Sequence, residues 1–215
     1  MPEAFREDDL LATSNCETGS VSLYRHEGTS LTHVQDIVIP EERAFSHGVK
    51  FMPSPHRVFC TTTPNRARFS YFLSTDSGEP LYKFGDADWK VKDCCFIDTN
   101  RMAVLYASST VSATAYDTPV SSKLALVSLD LPARKHTVAH EVTFGGHSDS
   151  CVYHDGMVFV TNGTHDCVML FRVESNSLRH EGNLGGYLVP HGIDVRAGLL
   201  AITSYGSNTV TVSRL

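Results

Sequence analysis

The chain has 215 residues, 41% of them hydrophobic, a net charge of -6 and a pI near 6.0. That size and apolar content are enough for a single domain, residues 1–215, with its own core. No Lys/Arg-rich run occurs, and no apolar run approaches the roughly 18 residues of a membrane span, so the expected partner is a small molecule or a protein, with no nucleic acid and no membrane. Residues 1–9 are acidic and lack the apolar core of a signal peptide. The six cysteines include no Cys-x-x-Cys pair and four lie in apolar runs, which reads as reduced, buried thiols and a cytoplasmic location.

Taken in chain order, the elements repeat one pattern. An apolar β-rich run ends in Thr or Ser, a turn follows, and a second β-rich run comes after it. The pairs are 11–15 with 21–24, 58–62 with 69–72, 103–108 with 124–127, 158–162 with 168–171, and 200–204 with 210–212. Anchored on Thr13, Thr61, Ser108, Thr161 and Thr203, the spacings are 48, 47, 53 and 42 residues. Further short strands fall between the anchors, at 34–39, 47–51, 81–84, 93–97, 140–144, 149–153, 182–184 and 191–195. No segment has a useful helical period, and Gly, Asn, Asp and Pro punctuate the chain at short intervals. A recurrence of roughly 40 to 50 residues with about four strands per unit predicts an all-β fold, a single β-propeller with five blades. The units run approximately over 3–40, 45–86, 91–144, 147–184 and 189–215. The first unit must take its opening strand from residues 3–9, the last ends at its third strand, and a Ser/Thr/Ala-rich insertion fills 109–122. Trp89 is expected in a loop.

Residues 190–195 through 202–212, with 160–163 through 168–171 as a looser match, resemble the repeat of YVTN/lactonase-like β-propellers. The resemblance implies the fold and carries no activity, since such propellers include lactonases, other enzymes and plain binding scaffolds. WD40 is disfavoured because no unit ends its third strand in Trp-Asp.

Aligning the unit starts brings His47, Asp93, Asp149 and His191 to one position, with Glu3 roughly equivalent and His147 close by. The first strand of each propeller unit lines the axis, so these groups are expected to converge at one mouth of the channel. His and carboxylate together suit a divalent metal such as Zn, Mn or Fe. The anchors should rim the same mouth with hydroxyls and amides from Thr13, Asn15, Thr61, Ser108, Thr161, Asn162, Thr203 and Tyr205, a lining suited to polyols. Strand-end Thr and Ser also satisfy turn backbone, and polar residues at a channel mouth are solvated at no cost. The expected function is a ligand- or partner-binding module working through a polar channel mouth. The alternative is a metal-dependent, lactonase-like hydrolase or lyase using the His/Asp ring. No nucleophile elbow, dinucleotide fingerprint or phosphate loop occurs.

Overall fold

A computed structural model describes residues 10–41, 44–53, 58–61, 69–86, 88–108 and 121–215; for 58–61 only the backbone is described. The calls on residues 3–9, the interior of the 109–122 insertion and the Thr61 side chain lie outside the described residues.

Among the described residues, eighteen strands form five antiparallel sheets, each continuous in sequence. The first sheet is β1 (Leu10–Asn15), β2 (Ser20–Glu27) and β3 (Ser30–Val38). The second is β4 (Val49–Phe51), β5 (Val58–Thr61), β6 (Phe69–Ser74) and β7 (Pro80–Gly85). The third is β8 (Trp89–Phe96), β9 (Arg101–Ser108), β10 (Ser121–Asp130) and β11 (Lys135–Gly145). The fourth is β12 (Cys151–His154), β13 (Met157–Asn162), β14 (Cys167–Val173) and β15 (Leu178–Leu184), and the fifth is β16 (Pro190–Arg196), β17 (Leu199–Ser204) and β18 (Thr209–Arg214). Trp89 opens β8 and does not sit in a loop. Its backbone pairs with Ser108, so the strand starts four residues earlier than the Asp93 motif suggested.

Alternation of side chains along the strands explains how the sheets stack. In β9, Met102, Val104 and Tyr106 pack with Phe72 and Phe84 of the second sheet, while Ala103 and Leu105 pack with Cys151, Val158, Val160 and Phe171 of the fourth. Successive residues point to opposite faces of a strand, so a continuous apolar run in a middle strand serves two neighbours at once. The adjacent thiols Cys94 and Cys95 divide in the same way, one into each core. Val21, Leu23 and Ile37 join Tyr71 and Leu73 between the first two sheets, and Phe159 and Val168 join Ile193, Leu200 and Ile202 between the last two. Each interface is built of bulky apolar side chains; Phe72 and Phe171 are fully buried, each contributing about 1.5–3 kcal/mol by transfer from water.

The first strand of each later sheet lies innermost and meets its neighbours, β4 against β1 and β8, and β12 against β8 and β16. That arrangement gathers the segments just before and within β4, β8, β12 and β16 around one axis. The fifth sheet ends at β18, all six residues of which are exposed.

Candidate functional site

Three of the four aligned residues meet. His47, Asp149 and His191 each offer a ligand atom, and the three atoms lie within 4.8 Å of one another. His47 and Asp149 sit two residues before β4 and β12, and His191 is the second residue of β16. A tetrahedral zinc with bonds of about 2.0–2.1 Å would set its ligands about 3.4 Å apart, so small side-chain rotations close the set. The His47 and His191 rings stand 6.1 Å apart between centroids, and Tyr205 stacks on His191 at 4.1 Å and 12°.

Asp93 lies one layer deeper. It pairs with Leu105, well inside the Ser108 end of β9, because β8 opens at Trp89, four residues earlier; a register shift between Val91 and Asp93 accommodates Lys92 as an extra residue on the way. A bulge of this kind turns neighbouring side chains toward the same side. Both are buried there: Lys92 reaches Asp149, and Asp93 Oδ2 accepts the Cys151 N–H at 3.0 Å and faces Lys50 Nζ at 3.7 Å.

Asp149 is the electrostatic centre. Its Oδ1 lies 2.7 Å from Lys92 Nζ, and its Oδ2 lies 3.2 Å from His147 Nδ1 and 3.8 Å from His191 Nε2. Burial pushes this carboxyl up, but the His147 contact and the Lys92 charge outweigh burial and hold it well below the usual carboxylate range. Burial lowers His47, helped by the Lys92 charge, and burial likewise lowers His191. Both imidazoles are therefore neutral at pH 7, the form that ligates a metal. The Asp93 charge raises Lys50 above the ordinary lysine range.

A cavity of about 520 Å³ opens over this cluster, lined by Thr13, Ser14, His47, Lys50, Asp93 and His191 among others. Of the expected rim, Thr13 reaches it and Tyr205 flanks it through His191. The other rim side chains tie the frame together. Thr161 Oγ1 accepts Ser150 N–H at 3.0 Å and donates to the His191 carbonyl at 3.0 Å. Thr203 Oγ1 accepts Gly192 N–H at 2.8 Å. Asn162 Nδ2 donates to the Gly145 carbonyl at 2.9 Å, and Asn15 Nδ2 donates to Ser22 Oγ at 2.7 Å. Ser108 ends β9 opposite Trp89. Thr161 and Thr203 thus position His191 and the turn that carries it.

Sequence reasoning missed Lys50 and Lys92. A lysine in a strand reads as a solvated face; the signal available for Lys92 was its place beside Asp93 in an otherwise apolar run.

No protein-family model and no curated protein matches the chain. Among solved structures it is similar to Kuenenia stuttgartiensis hydrazine synthase, with a TM-score of 0.71 and 12% identity over 96% of this chain and 68% of that one. At that identity the likeness is one of fold, and it agrees with the sheet order and with the innermost strands gathered on one axis: the chain folds as an all-β propeller.

Proposed function

We propose that the protein is a ligand-binding propeller whose axial cavity holds a divalent metal of the zinc type on His47, Asp149 and His191. The observation that carries this reading is the meeting of three ligand atoms within 4.8 Å, from the segments that lead into β4 and β12 and from β16, with His47 and His191 at the wall of a cavity. Two neutral imidazoles and one ionised carboxylate suit Zn, Mn or Fe. Lys92 occupies Asp149 Oδ1 and leaves Oδ2 on the side of His191, an orienting role of the kind that outer partners play in metal sites. The YVTN/lactonase-like character of residues 190–212 is part of the same reading, as are a small molecule as the natural partner and a reducing, cytoplasmic setting for the free thiols Cys94, Cys95 and Cys151.

Metal analysis of protein dialysed against Zn, Mn and Fe tests it. One equivalent per chain is expected, lost in His47→Ala/His191→Ala while the fold survives. Because burial lowers both histidines, uptake should persist somewhat below pH 6.5 before protonation competes. No retained metal, together with an unchanged melting temperature, would remove the metal reading. A second reading, a metal-dependent hydrolase or lyase, draws on the count of three protein ligands, which leaves a fourth position open to water or substrate. Turnover of an ester or lactone by the zinc-loaded protein, absent from the His47→Ala/His191→Ala variant, separates it from plain binding.

A further inference from the structure

Two opposite charges line the axial cavity beside the histidines, and the cavity meets them unequally. The Asp93 side chain is 5% exposed and the Lys50 side chain 32%. Asp93 Oδ2 already accepts the Cys151 N–H, and its 3.7 Å separation from Lys50 Nζ is beyond hydrogen-bond length, so the carboxylate holds the ammonium in place without consuming its donors. An ammonium has three N–H donors. The other lysine of the cluster is different: Lys92 is 5% exposed and bound to Asp149 at 2.7 Å. Asp149 itself is buried beneath the histidines. The cavity wall therefore presents one accessible cation and two neutral imidazoles among hydroxyl side chains (Thr13, Ser14 and Ser150) and the apolar Ala12 and Val49, with the Asp93 carboxylate almost covered. Tyr205, 58% exposed and stacked on His191, extends the flat wall outward.

We infer that the ligand of this cavity is a small organic carboxylate, with one carboxylate oxygen toward the His47–Asp149–His191 cluster and the carboxylate hydrogen-bonded to Lys50. The inference rests on the metal-binding reading for the first contact and on Lys50 alone for the second. Its chemistry is selective. A dicarboxylate would bring a second charge to a wall that offers no second accessible cation among the described lining residues. A neutral amide of the same shape keeps the van der Waals contacts and can accept from Lys50 through its carbonyl, but it loses the ion pair with the ammonium. The volume of about 520 Å³ admits a single-ring acid.

The test is a calorimetric titration of zinc-loaded and metal-free protein with benzoate and with benzamide, in the unsubstituted chain and in Lys50→Met and Lys50→Arg. Benzoate should bind the unsubstituted protein about 10- to 100-fold more tightly than it binds Lys50→Met, the range set by one charge-assisted hydrogen bond. Lys50→Arg should recover part of that loss, and benzamide, which can only accept a hydrogen bond from the lysine and forms no ion pair with it, should lose clearly less than benzoate on Lys50→Met. Zinc stoichiometry, measured on every variant, reports separately on the metal and on the fold. A chain that takes no zinc but still discriminates benzoate through Lys50 refutes the metal reading and keeps the lysine contact. Equal affinity for benzoate and benzamide, benzoate binding unchanged in Lys50→Met, or no benzoate binding at all overturns the inference even where zinc is bound.

Discussion

Replacing Lys92 by Met removes the ammonium that sits 2.7 Å from Asp149 Oδ1 and leaves a carboxylate whose side chain is 3% exposed. Methionine nearly preserves the volume of the aliphatic stem, so little of the effect comes from packing. Breaking a buried ion pair from one side costs about 3–5 kcal/mol, because the remaining charge keeps its desolvation penalty and loses its partner. For a chain of this size each kcal/mol moves the melting temperature by about 2–4 °C, which gives a fall of roughly 6–20 °C. The loss should depend on pH in a defined direction. Asp149 titrates well below the usual carboxylate range in the folded protein, so its contribution is fully present above the unfolded value near 3.9 and fades as pH drops through the folded one. Without Lys92 the carboxyl titrates higher and protonates sooner, so the gap between the two proteins is widest at neutral pH and narrows toward pH 4. Urea unfolding at pH 7 and pH 4 measures both quantities. The companion variant Lys92→Met/Asp149→Leu, which replaces the pair with apolar groups, should regain most of the loss. A Lys92→Met protein within 1 kcal/mol of the unsubstituted one, or an equal gap at both pH values, would refute the electrostatic account.

The two axial histidines titrate below their ordinary value of 6.5, so as pH falls the unfolded chain takes up protons first. Stability should then decline below about pH 6.5 by up to about 1.4 kcal/mol per pH unit for each histidine; His47→Gln/His191→Gln should flatten that slope in pH-dependent urea unfolding. Gly146 has a φ of +97°, and an added Cβ would collide with Asn162 Oδ1 and come within 2.8 Å of His165 Cδ2. Gly146→Ala should cost about 1–3 kcal/mol from the backbone alone, with the collision added, and calorimetry that found no loss would count against the turn described between β11 and β12. Cys16 is partly exposed whereas Cys94, Cys95 and Cys151 are buried, so a thiol reagent on native protein should modify Cys16 well ahead of those three, as peptide mass mapping would show.

The all-β sheet architecture was legible because its signal is redundant. Apolar runs such as 103–107 and 124–127 announce strands covered on both faces, as β9 and β10 are. The meeting of His47, Asp149 and His191 was legible because each comes at the start of a successive β-rich segment, and the first strands gather on one axis. Asp93 shows where that logic stops. Its motif aligns with Asp149, but β8 already opens at Trp89 opposite Ser108, so Asp93 lies well along the strand, and where a strand begins to pair with its neighbour is recorded by no local pattern. Lys50 and Lys92 were hidden by composition, because a lysine looks the same in sequence whether it meets solvent or a buried carboxylate. Of the expected rim, Thr13 lines the cavity, and the roles of the others could not be read from sequence. Whether a strand-end threonine greets a ligand or, like Thr161, ties two loops together depends on which carbonyl lies within 3 Å, as the His191 carbonyl does.

The axial cluster is composed by distribution: β4, β8, β12 and β16 open four consecutive sheets, and each sheet brings its own side chains to a common centre. Such a centre can be rewritten one sheet at a time. Exchanging residues 147–184 would replace His147 and Asp149 together and leave His47, Lys50, Lys92, Asp93 and His191 on their own sheets. Exchanging one sheet can thereby alter the charge and donor set of the centre without redesigning the fold, and the inter-sheet cores, each shared by two neighbours among the described residues, confine the repacking that follows to the two seams beside the exchanged sheet.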